Sequence, residues 1–223
     1  MQKKSSYDLM LILLACCPLL LAQTGDTYPL DTCLVSGEKL GSMGEPIVYL
    51  HLGREIRFCC KSCIPKFKKS PAQYLAKLDA LIIKDQTGHY PATTCLVSGE
   101  KLGGMGEPFA YVHNNRLVKF CCDGCLPKFL KEPQKYLAEL DKAVIREQKP
   151  NYPLDRCLVG GGKLGDMGEP IDFVYGNRLI RFCCQDCIPK FLKQPALYLG
   201  FLQKAYSKTV KKIEHTDHKG HKH

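Results

Sequence analysis

Fourteen cysteines occur in 223 residues, and twelve of them fall in a strict pattern. They are Cys33, Cys59, Cys60 and Cys63, then Cys95, Cys121, Cys122 and Cys125, then Cys157, Cys183, Cys184 and Cys187. Each set repeats the previous one at a period of 62 residues, with no insertion or deletion. Four thiols per unit support three chemistries. As thiolates they are ligands for a soft metal ion. In an oxidising compartment an even count supports disulfides. Cys60-Lys61-Ser62-Cys63 is also a Cys-x-x-Cys, the arrangement of dithiol redox proteins. Adjacent Cys59 and Cys60 make a strained mutual disulfide, whereas Cys33–Cys59 with Cys60–Cys63 is an open pairing. From spacing and compartment, all three chemistries stay open.

Weaker candidates repeat alongside the cysteines. Met43, Met105 and Met167 recur in a Met-Gly-Glu-Pro segment. Thioether sulfur is a soft ligand, but a buried plug for the loop is the expected role. Glu45, Glu107 and Glu169 recur there too and are expected to be solvated or to cap a helix. His51 and His113 align, yet the third copy has Tyr175, so neither is assigned to the site. In the tail, His215, His218, His221 and His223 suit a low-affinity metal arm, since imidazole binds Zn, Cu and Ni. No histidine recurs in all three units, and there is no Gly-x-Ser-x-Gly, phosphate loop or His-Glu-x-x-His. The chain therefore does not read as an enzyme, with thiol redox chemistry as the one catalytic alternative.

Local signals define the elements that must position these thiols. Cys33 to Pro46 is Gly-rich, with polar residues between, and reads as a knuckle and loop. Ile47–His51 and 54–59 alternate in polarity about a Gly-containing turn, which predicts a β-hairpin. The matching turns carry Asn114-Asn115 and Gly176-Asn177, residues that tolerate positive φ. A short helix is expected from about Cys60 through Phe67, with Cys63 lying over Cys60 on its first turn. Its N-terminus, with Lys61 or Arg57 nearby, favours thiolates. Pro71 suits the first turn of a second helix, with Tyr74, Leu75, Leu78, Leu81 and Ile82 on one face.

The fold class is thus small α+β: three tandem zinc-finger-like units, each a knuckle and loop, a β-hairpin and two helices. The units span 25–86, 87–148 and 149–208, followed by a His/Lys-rich tail at 209–223. Units near 60 residues have thin cores and need staples, a role the cysteines fill. Few contacts between copies are expected, so cuts near Thr87 or Lys149 should release units that still fold with metal.

The stretch from Cys33 through Arg57-Phe58-Cys59-Cys60-Lys61-Ser62-Cys63 to Pro71 and Tyr74-Leu75 resembles the TRASH and YHS families, small metal-binding domains related to treble-clef zinc fingers. The Phe-Cys-x-x-x-Cys-x-x-x-Phe core falls on Phe58, Cys59, Cys63 and Phe67, on Phe120, Cys121, Cys125 and Phe129, and on Phe182, Cys183, Cys187 and Phe191. The resemblance covers the three units and implies a role in heavy-metal sensing, trafficking or resistance. There are two departures. A second knuckle cysteine is replaced by Ser36, Ser98 and Gly160, and the residue after the first hairpin cysteine is itself Cys60, Cys122 or Cys184. That extra thiol has two assignments, a fourth ligand or a side chain turned away. Three thiolates alone favour Cu(I), or Zn(II) with an open position.

Lys3 and Lys4 precede an apolar run from Leu9 to Leu21 that is short for a bilayer-spanning helix, and Ala22 before Gln23 offers a cleavage site. Residues 1–22 read as a signal peptide, which places the mature chain in the periplasm or outside the cell. Leu13-Leu14-Ala15-Cys16 also resembles a lipobox, so the alternative is an envelope or outer-surface lipoprotein held through Cys16. Composition, at 45% hydrophobic and 24% charged, excludes a disordered chain and a polytopic membrane protein. The net charge of +10 is spread along the chain. Arg54, Arg57, Lys66 and Lys69 suggest a basic face for anionic lipid, polysaccharide or protein, and export argues against nucleic acid. The expected function is an exported binder of Zn or Cu, for storage, buffering or delivery, with a metal transporter or another envelope protein as partner. The alternatives are a thiol–disulfide redox protein and a structural array stapled by metal or disulfides.

Overall fold

The computed structural model of the chain describes residues 26–217, with side-chain surroundings as far as Thr209. The signal segment, Cys16 and the side chains of the four tail histidines lie outside the described residues. Three near-identical units follow one another, each with one antiparallel hairpin and two helices. In the first, β1 (Ile47–His51) pairs with β2 (Arg54–Phe58), Ile47 opposite Phe58 and His51 opposite Arg54. Helices α1 (Cys63–Lys69) and α2 (Pro71–Thr87) follow. The second unit has β3 (Phe109–His113), β4 (Arg116–Phe120), α3 (Leu126–Lys131) and α4 (Pro133–Gln148). The third has β5 (Ile171–Tyr175), β6 (Arg178–Phe182), α5 (Cys187–Lys193) and α6 (Pro195–Asp217).

Each hairpin closes through a two-residue turn with positive φ at both positions: Leu52 and Gly53, Asn114 and Asn115, Gly176 and Asn177. This is the turn whose twist matches paired strands, and it explains the Asn and Gly at these tips. Proline opens α2, α4 and α6, where its missing N–H forfeits no helical bond.

The first helix begins later than the sequence suggests. Cys60 to Ser62 form a tight turn in which the Cys63 N–H meets the Cys60 carbonyl at 3.2 Å, and regular α-helix starts at Cys63. Cys60 therefore precedes the helix and does not share its first turn with Cys63. In the second unit the corresponding step is a 3₁₀ turn over Asp123–Cys125.

The core of each unit is built around one phenylalanine from the first helix. Phe67 is fully buried, with Phe58, Tyr49 and Tyr74 at ring separations of 5.6, 5.9 and 6.0 Å. Phe129 and Phe191 hold the same position in the other copies. His51, His113 and Tyr175 each present an edge to that ring at 5.2, 5.3 and 5.2 Å, so the histidines align because they pack. On α2 the inward residues are Leu78, Ile82 and Gln86, one turn apart, while Leu81 turns outward to line a cleft with Ala196 and Leu199 of the third unit.

The units also interlock, contrary to the expectation of few contacts between them. The tip of the second hairpin docks on the first unit: Arg54 Nε donates to Asn115 Oδ1 at 2.7 Å, and Asn115 Nδ2 donates to the Glu55 carbonyl at 2.9 Å. The third tip docks on the second unit in the same way, Arg116 Nε to Asn177 Oδ1 at 2.9 Å and Asn177 Nδ2 to the Leu117 carbonyl at 2.9 Å. Gln86 clamps the first joint through the Asn115 carbonyl and the Leu117 N–H, and Gln148 clamps the second through the Asn177 carbonyl and the Leu179 N–H. Arg178, next in this register, pairs with Asp85 and His89.

Arg54 and Arg57 are consequently not part of a basic docking face. Arg54 is paired with Asp79 at 2.7 Å. Arg57 is bonded to Glu55 and to the carbonyls of Leu192 and Lys193 at the end of α5, where carbonyls lack helical partners. No helix among the described residues is long and apolar enough to cross a membrane.

Candidate metal centre

Two parts of each unit bring the thiols together. The knuckle is pinned by the Cys33 N–H donating to the Glu38 carbonyl at 2.7 Å and the Gly37 N–H donating to the Cys33 carbonyl at 2.8 Å. Thr32 and Lys39 close it as a bridge, as do Thr94 with Lys101 and Arg156 with Lys163. Gly37 has φ +77°, the conformation this tight loop requires and glycine tolerates. The other thiols come from the end of the second strand and the start of the first helix.

Three clusters result: Cys33, Cys59 and Cys63; Cys95, Cys121 and Cys125; Cys157, Cys183 and Cys187, each with its sulfurs within 4.8 Å of one another. Cys59 and Cys63 are 3.8 Å apart, Cys121 and Cys125 3.7 Å, and Cys157 and Cys187 3.7 Å. A disulfide needs about 2.05 Å. Four sulfurs at about 2.3 Å from one tetrahedral zinc stand about 3.8 Å from each other. The clusters have the spacing of ligands around an ion, and their soft donors can coordinate one.

Cys60, Cys122 and Cys184 stand beside these triads, outside the groups of three sulfurs that all lie within 4.8 Å of one another. Cys60 Sγ lies 3.9 Å from Cys59 and 3.8 Å from Cys63, Cys122 lies 3.9 Å from Cys121, and Cys184 lies 3.7 Å from Cys187. They are half-buried or exposed, whereas the knuckle and helix thiols are buried. Each reaches one edge of its cluster from the solvent side.

Position 36 is the residue whose role sequence reasoning missed, having registered it only as a lacking cysteine. Ser36 Oγ is 3.2 Å from Cys59 Sγ, and Ser98 Oγ is 3.3 Å from Cys121 Sγ. Burial raises the Cys33 thiol, but hydrogen bonds from Ser36 and the surrounding backbone outweigh it and hold the group at about 7. The same balance through Ser98 holds Cys95 at about 6. Cys63 and Cys125, buried among other thiols, are pushed up to about 12. The first two clusters thus each pair a thiol held low with one held high, whose proton a bound cation would displace.

The MGEP residues are placed elsewhere. Met43, Met105 and Met167 are 59%, 66% and 66% exposed, so they do not plug the loop. Successive positive-φ glycines such as Gly41 and Gly44 turn this segment outward. Glu45, Glu107 and Glu169 are exposed as well.

Three tandem three-cysteine clusters, each embedded in a repeating knuckle, hairpin and helix unit, are consistent with treble-clef-like TRASH and YHS repeats. No protein-family model matches the chain, and no characterised protein or solved structure does.

Proposed function

We propose that the chain is an exported soft-metal-binding protein that holds one Zn or Cu ion per unit for storage, buffering or delivery. One observation carries this reading: the same thiol triad is built three times, at the sulfur spacing of a metal site. Three equivalent ligand sets suit capacity, and no unit offers a repeated general base beside its thiols. Binding is accordingly the role proposed, with no catalytic step. The three units, as bounded in the sequence, are the proposed loading units, and a metal transporter or another envelope protein is the proposed source or acceptor.

A second reading has its own support. The Ser62 hydroxyl, 3.0 Å from Cys60 Sγ, holds that half-buried thiol at about 7, which suits the attacking member of a Cys-x-x-Cys pair. Metal analysis of the anaerobically purified full chain separates the two. Three equivalents of zinc or copper, with the nine triad thiols protected from alkylation, is the expected result. A metal-free chain whose unit cysteines are recovered as disulfides overturns the binding reading in favour of redox or stapling.

A further inference from the structure

The three clusters are not alike on the face that the knuckle covers. In the first two, a serine stands over the thiols, Ser36 Oγ at 3.2 Å from Cys59 Sγ and Ser98 Oγ at 3.3 Å from Cys121 Sγ. The third unit has Gly160 there. A Cβ on Gly160 would stand 3.1 Å from Cys187 Sγ, 3.3 Å from Cys183 Sγ and 3.8 Å from Cys157 Sγ, so the missing side chain faces all three sulfurs. Two residues on, Glu38 and Glu100 are matched by Gly162, whose Cβ would lie 3.8 Å from Cys183 Sγ. Consistent with this clearing, Cys183 is half-buried, while Cys59 and Cys121 are buried. The neighbouring extra thiol does not account for the difference, because Cys60 lies 3.8 Å from Cys63 and Cys184 3.7 Å from Cys187.

A three-thiolate zinc site with an open side keeps a fourth position for an outside ligand, whereas a closed site is structural. We propose that the cluster of Cys157, Cys183 and Cys187 is the exchange site of the chain, where the space left by Gly160 admits a small-molecule thiolate as fourth ligand to the metal. Ser36 and Ser98 close the corresponding face of the other two clusters, which retain their ions. This inference rests on the metal-binding reading. It divides the chain into two holding sites and one site from which metal is handed on.

Cobalt(II) provides a probe, since each added thiolate intensifies the sulfur-to-cobalt charge-transfer band. The full chain is loaded anaerobically with Co(II), its cobalt content is measured, and 2-mercaptoethanol is titrated in. The expected result is three cobalt ions per chain and a rise in the band that saturates at one thiol per chain with cobalt content unchanged. Gly160→Ser, which installs the residue that the first two units carry at a position of ordinary φ, should abolish the rise. Ser36→Gly should add a second thiol-binding event. A rise that persists in Gly160→Ser overturns the inference, as does a three-cobalt chain that takes up no thiol or loses all three ions to it alike. Absence of any thiolate-bound cobalt before thiol is added instead overturns the metal-binding reading, and the inference with it.

Discussion

Within each cluster the cysteines divide by what surrounds them. Cys33, Cys59 and Cys63 are mutually close and buried, while Cys60 meets only one edge of the triad from the solvent side. Cys63→Ser should therefore lower the metal content from three ions per chain to two, and Cys60→Ser should leave it at three. Structural zinc contributes about 10–16 kcal/mol in small fingers, so the first substitution should also remove several kcal/mol of metal-linked stability from its unit. Two ions in both variants would make Cys60 a fourth ligand. Proton competition gives an independent check. Cys63 and Cys125, pushed up to about 12, must lose a proton on binding. Each such proton makes the apparent affinity fall about tenfold per pH unit of acidification. Competition with a chelator from pH 8 to pH 6 should show at least that slope, and a flat profile would exclude these thiols as ligands.

At the scale of elements, the hairpin turns are where local chemistry and conformation agree least evenly. Leu52 has φ 51° and is 92% exposed, whereas its counterparts are Asn114 and Gly176. A leucine in the left-handed region is strained by its Cβ, at about 1–2 kcal/mol. Leu52→Asn should stabilise the chain by about 1 kcal/mol in urea denaturation, since almost no buried leucine surface is lost. Destabilisation would mean that the Leu52 side chain is held by a contact. Asn115 shows the opposite economy, because its side chain couples Arg54, the Glu55 carbonyl and the Asp26 carbonyl. Asn115→Gly keeps the positive φ, as Gly53 does in the first unit, while leaving those buried groups unpaired. The expected loss is about 2–3 kcal/mol, and a loss below half a kcal/mol would show that water replaces the joint.

The three units interlock pairwise, the third touching the first as well as the second. Gln86 lies at the end of α2 yet bonds the second hairpin, so a cut near Thr87 severs a unit from its clamp. The N-terminal segment reaches all three units: the Asp26 N–H donates to the Asn114 carbonyl at 3.0 Å, and Asp26 Oδ2 accepts the Gly176 N–H at 2.7 Å. Burial raises the Asp26 carboxyl to about 6, against the pull of Arg116 and of the Gly176 N–H. The folded state therefore holds its proton more tightly than the unfolded chain. The stabilising contribution is full below the ordinary carboxylate range, declines as pH rises towards 6, and is lost above it. Asp26→Asn, which keeps an acceptor for Gly176, should match the parent near pH 4 and exceed it at pH 7.5 by up to about 3 kcal/mol. An equal difference at both pH values would show that the carboxyl is ionised and solvated throughout.

The repeat, the hairpins, the two helices and the set of four thiols from which each triad is drawn are legible in the residues. These follow from local rules: a strict 62-residue cysteine period, alternation about Asn- and Gly-bearing turns, and proline at helix starts. Structure alone revealed the outward turn of Leu81, which depends on what lies across the fold, and the local turns that delay α1 to Cys63 and carry Met43 outward. It also decided the pairing of repeats. Asn115, Asn177, Gln86 and Gln148 look like ordinary turn and helix-end residues, and only their neighbours 60 or more positions away or across a joint make them clamps. The contrast between Ser36 and Gly160 was visible as letters, but its meaning required the sulfurs beneath it: whether a missing Cβ opens a coordination position depends on which atoms that Cβ would have met.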